Sequence, residues 1–364
     1  MESPLLRPHR TPALHLPNRV AMAPMTRSRA DDATGTPTPL MAEYYAQRAS
    51  AGLVVTEGIW PHRLGKGGPS VPGLTGPEHV AGWRRVTGAV HAAGGRVFAQ
   101  LWHVGRVSHP EILGGEQPVA PSAVPVPEGL IHTASGKREY VVPRALSAAE
   151  IAEIVTAHAA AARHAVEAGF DGVEISAAYG YLGSQFLSDS ANLRTDAYAD
   201  RVRFAVEVTE AVAAAIGPER TALRVSPGNG DLGAVESDPA ARYRRLLGAL
   251  DGLGLAYLHV VESGAYPALA DLRPRWSGTL VATYDGGAEP GGVRRAEEAV
   301  RAGLADVYAF GRLFLANPDL PRRIAEGAPL NPQRGSGLYG GGAEGYTDFP
   351  RLGEAVRVTA GAGS

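Results

Sequence analysis

The 364-residue sequence predicts an α/β fold in which eight parallel strands and their helices close into a single (β/α)8 TIM barrel. Strand-like and helix-like segments alternate from one end of the chain to the other. The strand-like segments are short, nearly continuous apolar runs, which is typical of parallel strands that are buried on both faces. Eight such units favour a closed barrel over an open doubly wound sheet. No linker interrupts them, so residues 1–364 are predicted to form one domain.

The first three units are clear in the hydrophobic pattern. The apolar runs 18–25 (NRVAMAPM), 53–58 (LVVTEG) and 96–102 (RVFAQLW) predict strands. Helical segments follow the first two at 40–50 and 78–93, where Val80, Trp83, Val86 and Val90 recur at helical spacing.

A long excursion, 105–146, follows the third strand and is rich in proline and glycine. Segments of this length without regular structure are usually lids or insertions with a function, rather than ordinary connections. Ser147 is then the predicted N-cap of a helix to about residue 168, with Glu150 completing a capping box.

The remaining five units repeat the alternation. Strands are predicted at 172–176, 221–226, 256–261, 279–283 and 306–311. Helices are predicted at 199–216, 239–250, 293–302 and 318–326.

Composition limits the classes of function. Hydrophobic content of 45%, charged content of 20% and a net charge of −2 are those of a globular protein without a general affinity for nucleic acid or anionic membranes. The absence of cysteine excludes disulfides, thiolate metal sites and a cysteine nucleophile. The N-terminus lacks a signal-peptide apolar region, so a cytoplasmic protein is expected, either a monomer or a small homo-oligomer.

The carboxyl ends of barrel strands are where such folds place their chemistry. A Gly-Gly turn, Gly286 and Gly287, follows the seventh strand, and Gly311-Arg312 follows the eighth. Backbone N–H groups with a guanidinium alongside suit a phosphate. The groups at the earlier strand ends suit a flavin ring, because Gln100 can pair with its pyrimidine edge and Arg224 can face its N1–C2 region. Thr26 could bind the C4 oxygen.

The stretch 171–187 combines a buried strand with a loop that presents Ser176, Tyr179 and Tyr181. A cluster of hydroxyl groups at a strand end is a candidate active site. The alternative is a structural loop whose two aromatic residues only pack.

The chain resembles the old yellow enzymes, especially the bacterial pentaerythritol tetranitrate reductase type, over almost its whole length. The matching motifs include NRVAMAPMTRSRA (18–30), FAQLWHVGRVSHP (98–110), GYLGSQFLSDSANLRTDAY (180–198), VYAFGRLFLANPDLP (307–321) and the tail 330–350. The resemblance implies FMN as cofactor, and hydride transfer from NAD(P)H through the flavin to an activated alkene. The implied FMN contacts are Pro24, Met25, Thr26, Gly58, Gln100, Arg224, Gly286, Gly287, Gly311 and Arg312.

The sequence departs from this family where the substrate binds. Relatives carry His-x-x-His or His-x-x-Asn where this chain has Ser176 and Tyr179, whereas the proton-donating tyrosine is retained as Tyr181. Gly68 stands where relatives often have an aromatic residue, and Trp102 and Tyr346 are the expected aromatic walls. The leading hypothesis is therefore NAD(P)H-driven reduction of the C=C bond of a specialised, bulky carbonyl compound.

Two alternatives remain open at this stage. One is a flavin-dependent dehydrogenation or a redox-neutral isomerisation of a biosynthetic intermediate. The other is a flavin-binding protein with little turnover, whose substrate anchors have been lost.

Overall fold

The computed structural model describes residues 2–285 and 291–354. Eight parallel strands form a closed barrel in which each strand pairs with the next and the eighth pairs with the first. The fold predicted from the sequence is confirmed. The strands are β1 Val20–Met22, β2 Leu53–Ile59, β3 Val97–Leu101, β4 Gly172–Ala177, β5 Thr221–Val225, β6 Tyr257–Glu262, β7 Leu280–Tyr284 and β8 Val307–Phe310.

Helices follow the strands and cover the outside of the barrel. They are α1 Pro39–Gln47, α2 Pro77–Ala92, α3 Ala148–Glu167, α4 Leu182–Leu187, α5 Arg203–Ile216, α6 Pro239–Leu250, α7 Ala268–Leu272, α8 Gly292–Arg301, α9 Arg312–Ala316 and α10 Leu320–Glu326. Within the described ranges, none of them is long and apolar enough to cross a membrane.

The capping box predicted for α3 is present. The Ser147 hydroxyl accepts the Glu150 backbone N–H at 3.2 Å, and the Glu150 carboxylate accepts the Ser147 N–H at 2.8 Å. Two N–H groups that a helix start leaves unpaired are thereby satisfied, which fixes where the helix begins.

The excursion is more ordered than the sequence predicted. Leu130–Thr133 and Gly136–Glu139 pair as an antiparallel hairpin, and Val119–Ala120 pairs in parallel with Arg144–Ala145. Alternate residues of the first hairpin strand are buried and exposed, so it is a two-sided strand rather than one of the apolar runs used to find the barrel. Glu111 holds the hairpin by accepting hydrogen bonds from Thr133 and Arg138, at 2.6 and 2.8 Å.

Three segments for which the sequence predicted neither helix nor strand contain short helices. α4 follows the stretch that presents the candidate hydroxyls, α7 lies between β6 and β7, and α9 follows β8. Each has six residues or fewer, too short to show a helical period in the sequence.

One end of the barrel is closed by packing, which leaves the other for function. Leu14 and Leu16 of an N-terminal hairpin pack with Leu53, Phe98 and Val307 inside the barrel. Leu53 and Val307 begin their strands. The open end therefore lies at the carboxyl ends of the strands.

Candidate active site

A cavity of about 1010 Å³ opens at the carboxyl ends of the barrel strands. It brings together most of the residues that the sequence predicted for the cofactor and substrate. Its lining includes Pro24, Met25, Thr26, Gly58, Gly68, Gln100, Trp102, Ser176, Tyr179, Tyr181, Arg224 and Arg312.

The four residues predicted for the phosphate site differ in their relation to the cavity. A side chain at Gly311 would begin 3.6 Å from the Met25 sulfur, so Gly311 lies directly beside the cavity lining. Gly286 and Gly287 lie outside the described residues. Arg312 begins α9 and lines the cavity with an exposed side chain.

Arg224 is a buried cation with unused hydrogen-bonding capacity. It extends from β5, is 4% exposed, and its Nε has no hydrogen-bond partner among the described residues. Its guanidinium carbon lies 5.0 Å from the centre of the Tyr179 ring. Because burying an unpaired donor is costly, this arrangement indicates a ligand that accepts from Arg224.

Gln100 is oriented by Glu174, a residue that the sequence analysis did not single out. The Gln100 Nε2 donates to the Glu174 carboxylate at 2.8 Å, and the two residues lie opposite each other on β3 and β4. This contact leaves the Gln100 carbonyl oxygen and one amide hydrogen for a ligand. In the sequence, Glu174 is the one charged residue of the strand Gly172–Ala177, and that interruption of the apolar run was the available signal.

The three hydroxyl residues come from the end of β4 and the turn after it. Ser176 is 9% exposed and lies beside Arg224 on the neighbouring strand. Tyr179 has a φ of 57°, and its N–H donates to the Ser226 hydroxyl at 2.8 Å. A tyrosine in the left-handed region costs about 1 to 2 kcal/mol. The surrounding contacts hold it there, and its ring lines the cavity.

Both tyrosines keep their protons at neutral pH. Burial raises the pKa of Tyr179 to about 12, although the nearby Arg224 opposes the shift. Burial also raises the pKa of Tyr181. Each phenol is therefore a neutral hydrogen-bond donor, and Tyr181 is also a potential proton donor.

Trp102 forms an aromatic wall against Tyr181. Their ring centres are 4.8 Å apart and their planes meet at 87°, an edge-to-face contact. The indole fits because Gly58 has no side chain, since a Cβ there would lie 2.5 Å from the Trp102 ring. At Gly68, by contrast, a Cβ would meet only the Val71 side chain, at 3.8 Å, so this part of the wall is open.

The prediction that Tyr346 forms a wall is corrected by the structure. Tyr346 is fully buried and stacks on Tyr44 with ring centres 4.0 Å apart, beneath the guanidinium groups of Arg27 and Arg29. The tail tyrosine that lines the cavity is Tyr339, which is 69% exposed. Both residues belong to the same tail motif, and only the path of the tail decides which one faces the cavity.

Two buried arginines determine that path. Arg27 donates to the carbonyls of Leu338 and Gly345 at 2.9 and 2.7 Å. Arg29 donates to those of Gly337 and Gly342 at 2.9 and 3.1 Å. Both arginines follow β1 in the chain, so the loop that carries Thr26 also fixes the tail over the cavity.

The excursion and the loop after β5 supply further lining residues that sequence reasoning missed. Ile131, His132 and Tyr140 come from the hairpin region, and Asp231 and Leu232 from the loop. The sequence analysis singled out the excursion as a segment with an expected function, but it did not identify these residues.

Comparison with known proteins agrees with this geometry. The model of the family described as NADH:flavin oxidoreductase / NADH oxidase matches residues 4–331. The 12-oxophytodienoate reductase 7 of Oryza sativa subsp. japonica is 41% identical over 380 residues, covering 97% of this chain and 96% of its own. The old yellow enzyme homologue from Zymomonas mobilis has a TM-score of 0.90 at 42% identity, with 95% of this chain and 99% of that chain covered. Morphinone reductase in complex with tetrahydroNAD has a TM-score of 0.90 at 43% identity, with 96% and 97% covered.

These similarities extend over nearly the whole chain rather than over the barrel strands alone. They include the segments after β1, β3 and β4 that build the cavity. The family resemblance read from the sequence motifs is confirmed. The chain thus belongs to the NADH:flavin oxidoreductase / NADH oxidase family, as one of the old yellow enzymes, and is an FMN-dependent NAD(P)H oxidoreductase.

Proposed function

We propose that the enzyme reduces the C=C bond of a bulky alkene that is activated by a neighbouring carbonyl group. One observation carries the proposal: a single cavity is lined both by cofactor-type groups and by three hydroxyl side chains. The cofactor-type groups are Gln100, Arg224 and Arg312, and the hydroxyls belong to Ser176, Tyr179 and Tyr181.

The residues present suit FMN. Arg224 has an unpartnered, buried Nε at the cavity, and a flavin gains negative charge near its N1–C2 region on reduction. Gln100 keeps one donor and one acceptor for the pyrimidine edge, and Thr26 is available for the C4 oxygen. Gly311 and Arg312 would hold the phosphate. When bound, FMN supplies hydride transfer between NAD(P)H and the alkene.

Ser176 and Tyr179 would hold the carbonyl oxygen of the substrate. No described residue accepts a hydrogen bond from either hydroxyl group, so both protons are available to a ligand. Donors aimed at an oxygen that gains negative charge stabilise the transition state, and each contributes about 3 kcal/mol. Both donors are neutral, so they polarise the carbonyl less than a charged imidazolium would.

Tyr181 would protonate the α-carbon. Its raised pKa keeps the phenol protonated, and its ring is held against Trp102. A positioned donor of this kind raises the rate by about 10²–10⁴-fold.

The walls support a bulky and largely apolar substrate. Val71, Val107 and Leu232 pack with Trp102 and Tyr181 in one cluster beside the cavity. The open wall at Gly68 adds space. Asp231 and His132 line the same cavity.

Anaerobic stopped-flow spectroscopy of the holoenzyme tests the proposal. NADH or NADPH should bleach the flavin, and a steroidal enone should reoxidise it faster than cyclohexenone does. One NAD(P)H should be consumed for each alkene saturated. Product formed without NAD(P)H would indicate isomerisation instead, and failure to bleach would indicate a binding protein.

The FMN assignment has its own test. Arg312→Ala should weaken FMN retention in equilibrium dialysis, because it removes a charge-assisted hydrogen bond to the phosphate. Arg322→Ala, on the neighbouring helix α10 and paired with Glu326, is the matched control. Unchanged FMN affinity in Arg312→Ala would contradict the phosphate assignment.

A further inference from the structure

A buried polar network lies directly beneath the cavity, inside the barrel. The carboxylate of Glu174 on β4 accepts from Gln100 at 2.8 Å and from the Tyr257 hydroxyl at 3.1 Å, and it lies 2.8 Å from Nδ1 of His259. Glu174 and His259 are both fully buried. An unpaired carboxylate there would be costly, so the protonation state of the pair matters.

The hydrogen-bond directions can be followed from Thr283. Nε2 of His259 lies 2.7 Å from the Thr283 hydroxyl, and that hydroxyl donates to the Ala309 carbonyl at 3.2 Å. A hydroxyl has one hydrogen, so both contacts are hydrogen bonds only when Thr283 accepts from His259, and this arrangement places a hydrogen on Nε2.

The other side of the ring then requires a second hydrogen. With Nε2 protonated, the short contact between Nδ1 and Glu174 needs its own hydrogen, supplied either by the imidazolium or by the carboxylic acid. Burial lowers the pKa of His259, and the adjacent carboxylate raises it in opposition. In both arrangements the two residues together carry no net charge.

We propose that Glu174 and His259 share one buried proton, and that this neutral pair leaves the positive charge of Arg224 undiminished toward the flavin. Arg224 lies opposite His259 in the strand register, and its charge acts on Glu174. A bare carboxylate at Glu174 would cancel part of the Arg224 field. The two residues are positioning residues, because they act through Gln100 and Arg224. The inference rests on the proposal that those two residues contact FMN.

The first test does not depend on FMN contacts. In holoenzyme labelled with ¹⁵N-histidine, the His259 side-chain signals are assigned by their loss in His259→Asn. At neutral pH, Nε2 should carry a hydrogen. A neutral ring with its hydrogen on Nδ1 and a bare Nε2 would overturn the shared proton.

The second test is the midpoint potential of bound FMN, measured by spectroelectrochemistry. His259→Asn keeps an amide donor for Glu174 but removes the proton. Its potential should fall by about 30 mV. For a two-electron couple this corresponds to about a tenfold change in the ratio of the affinities for reduced and oxidised FMN. Glu174→Gln should leave the potential nearly unchanged, because it replaces a neutral pair by a neutral pair.

Tyr257→Phe is the matched control. It removes a hydrogen bond to the same carboxylate, retains the packing against Phe98, and leaves the proton count unchanged. Its potential should stay at the parent value. A rise in Glu174→Gln with no change in His259→Asn would overturn the proposal. So would equal shifts in His259→Asn and Tyr257→Phe, since these would indicate packing alone.

Discussion

Replacement of Tyr181 by phenylalanine isolates one step of the proposed reaction. The substitution removes the hydroxyl and keeps the ring that packs edge-to-face on Trp102 at 4.8 Å. No described residue forms a hydrogen bond with that hydroxyl, so its removal leaves no protein group unpaired. Fold stability and the binding of FMN should stay at the parent values.

The expected loss follows from the role of the hydroxyl. A positioned proton donor contributes about 10²–10⁴-fold to rate. At about 1.4 kcal/mol for each factor of ten, the barrier to alkene reduction should rise by about 3 to 5 kcal/mol. Reduction of the flavin by NAD(P)H requires no proton from Tyr181, so that half-reaction should change by less than about twofold.

Stopped-flow measurement of the two half-reactions gives the answer directly. Tyr140→Phe is the control, because it removes another phenol from the same cavity. Reoxidation of Tyr181→Phe at the parent rate would refute the assignment and direct attention to Tyr179. An equal loss in both half-reactions would also refute it, because a general disturbance of the site would then explain the effect.

Four further predictions concern the anchors, the two tail tyrosines and a buried acid. Ser176→His combined with Tyr179→His should raise cyclohexenone reduction by about tenfold or more, through stronger polarisation of the carbonyl; unchanged kcat/KM would contradict the role given to this pair. Tyr339→Ala should raise KM for a bulky enone. Tyr346→Phe should leave KM unchanged and should not lower Tm, since the Tyr346 hydroxyl is buried with no hydrogen-bond partner among the described residues. Burial raises the pKa of Glu57 to about 7 from its ordinary value of 4.5. Its contribution to stability is thus present below pH 4.5 and is lost as pH rises to 7. Glu57→Gln should remove that slope, up to about 3 kcal/mol, when urea unfolding is compared at pH 5 and pH 8; parallel slopes in parent and variant would contradict the shift.

The location of the proposed FMN contacts Gln100 and Arg224 could be predicted from the sequence because strands carry them. Once eight apolar runs are assigned to one barrel, the residues that end each run must meet at one rim. Gln100 and Arg224 lie in β3 and β5 themselves, so a small error in a strand boundary does not move them to another part of the molecule.

The substrate half could be predicted only in part, because loops carry it. The tail motif contains two tyrosines seven positions apart, and local sequence does not distinguish Tyr339 at the cavity from Tyr346 beneath it. The difference arises from Arg27 and Arg29, which are more than 300 residues away in the chain. In the hairpin that brings Tyr140 to the cavity, the first strand alternates between exposed and buried positions and the second has no buried residue, a weak signal within a segment rich in proline and glycine.

Because strands carry the proposed FMN contacts and loops carry the outer walls, the substrate space can change independently of the proposed FMN site. The proposed FMN contacts are fixed by strand pairing and by the network under Gln100, whereas the outer walls come from 67–71, 130–140 and 338–340. The tail is held by bonds from Arg29 to backbone carbonyls, and the hairpin by its own strand pairing and by Glu111. Substitutions in the walls can therefore reshape the substrate space without disturbing the strands. Ser176 and Tyr179 lie at the border between the two halves, at the end of β4. A change of anchors there alters how the carbonyl is held, while Arg224 on the next strand keeps its place.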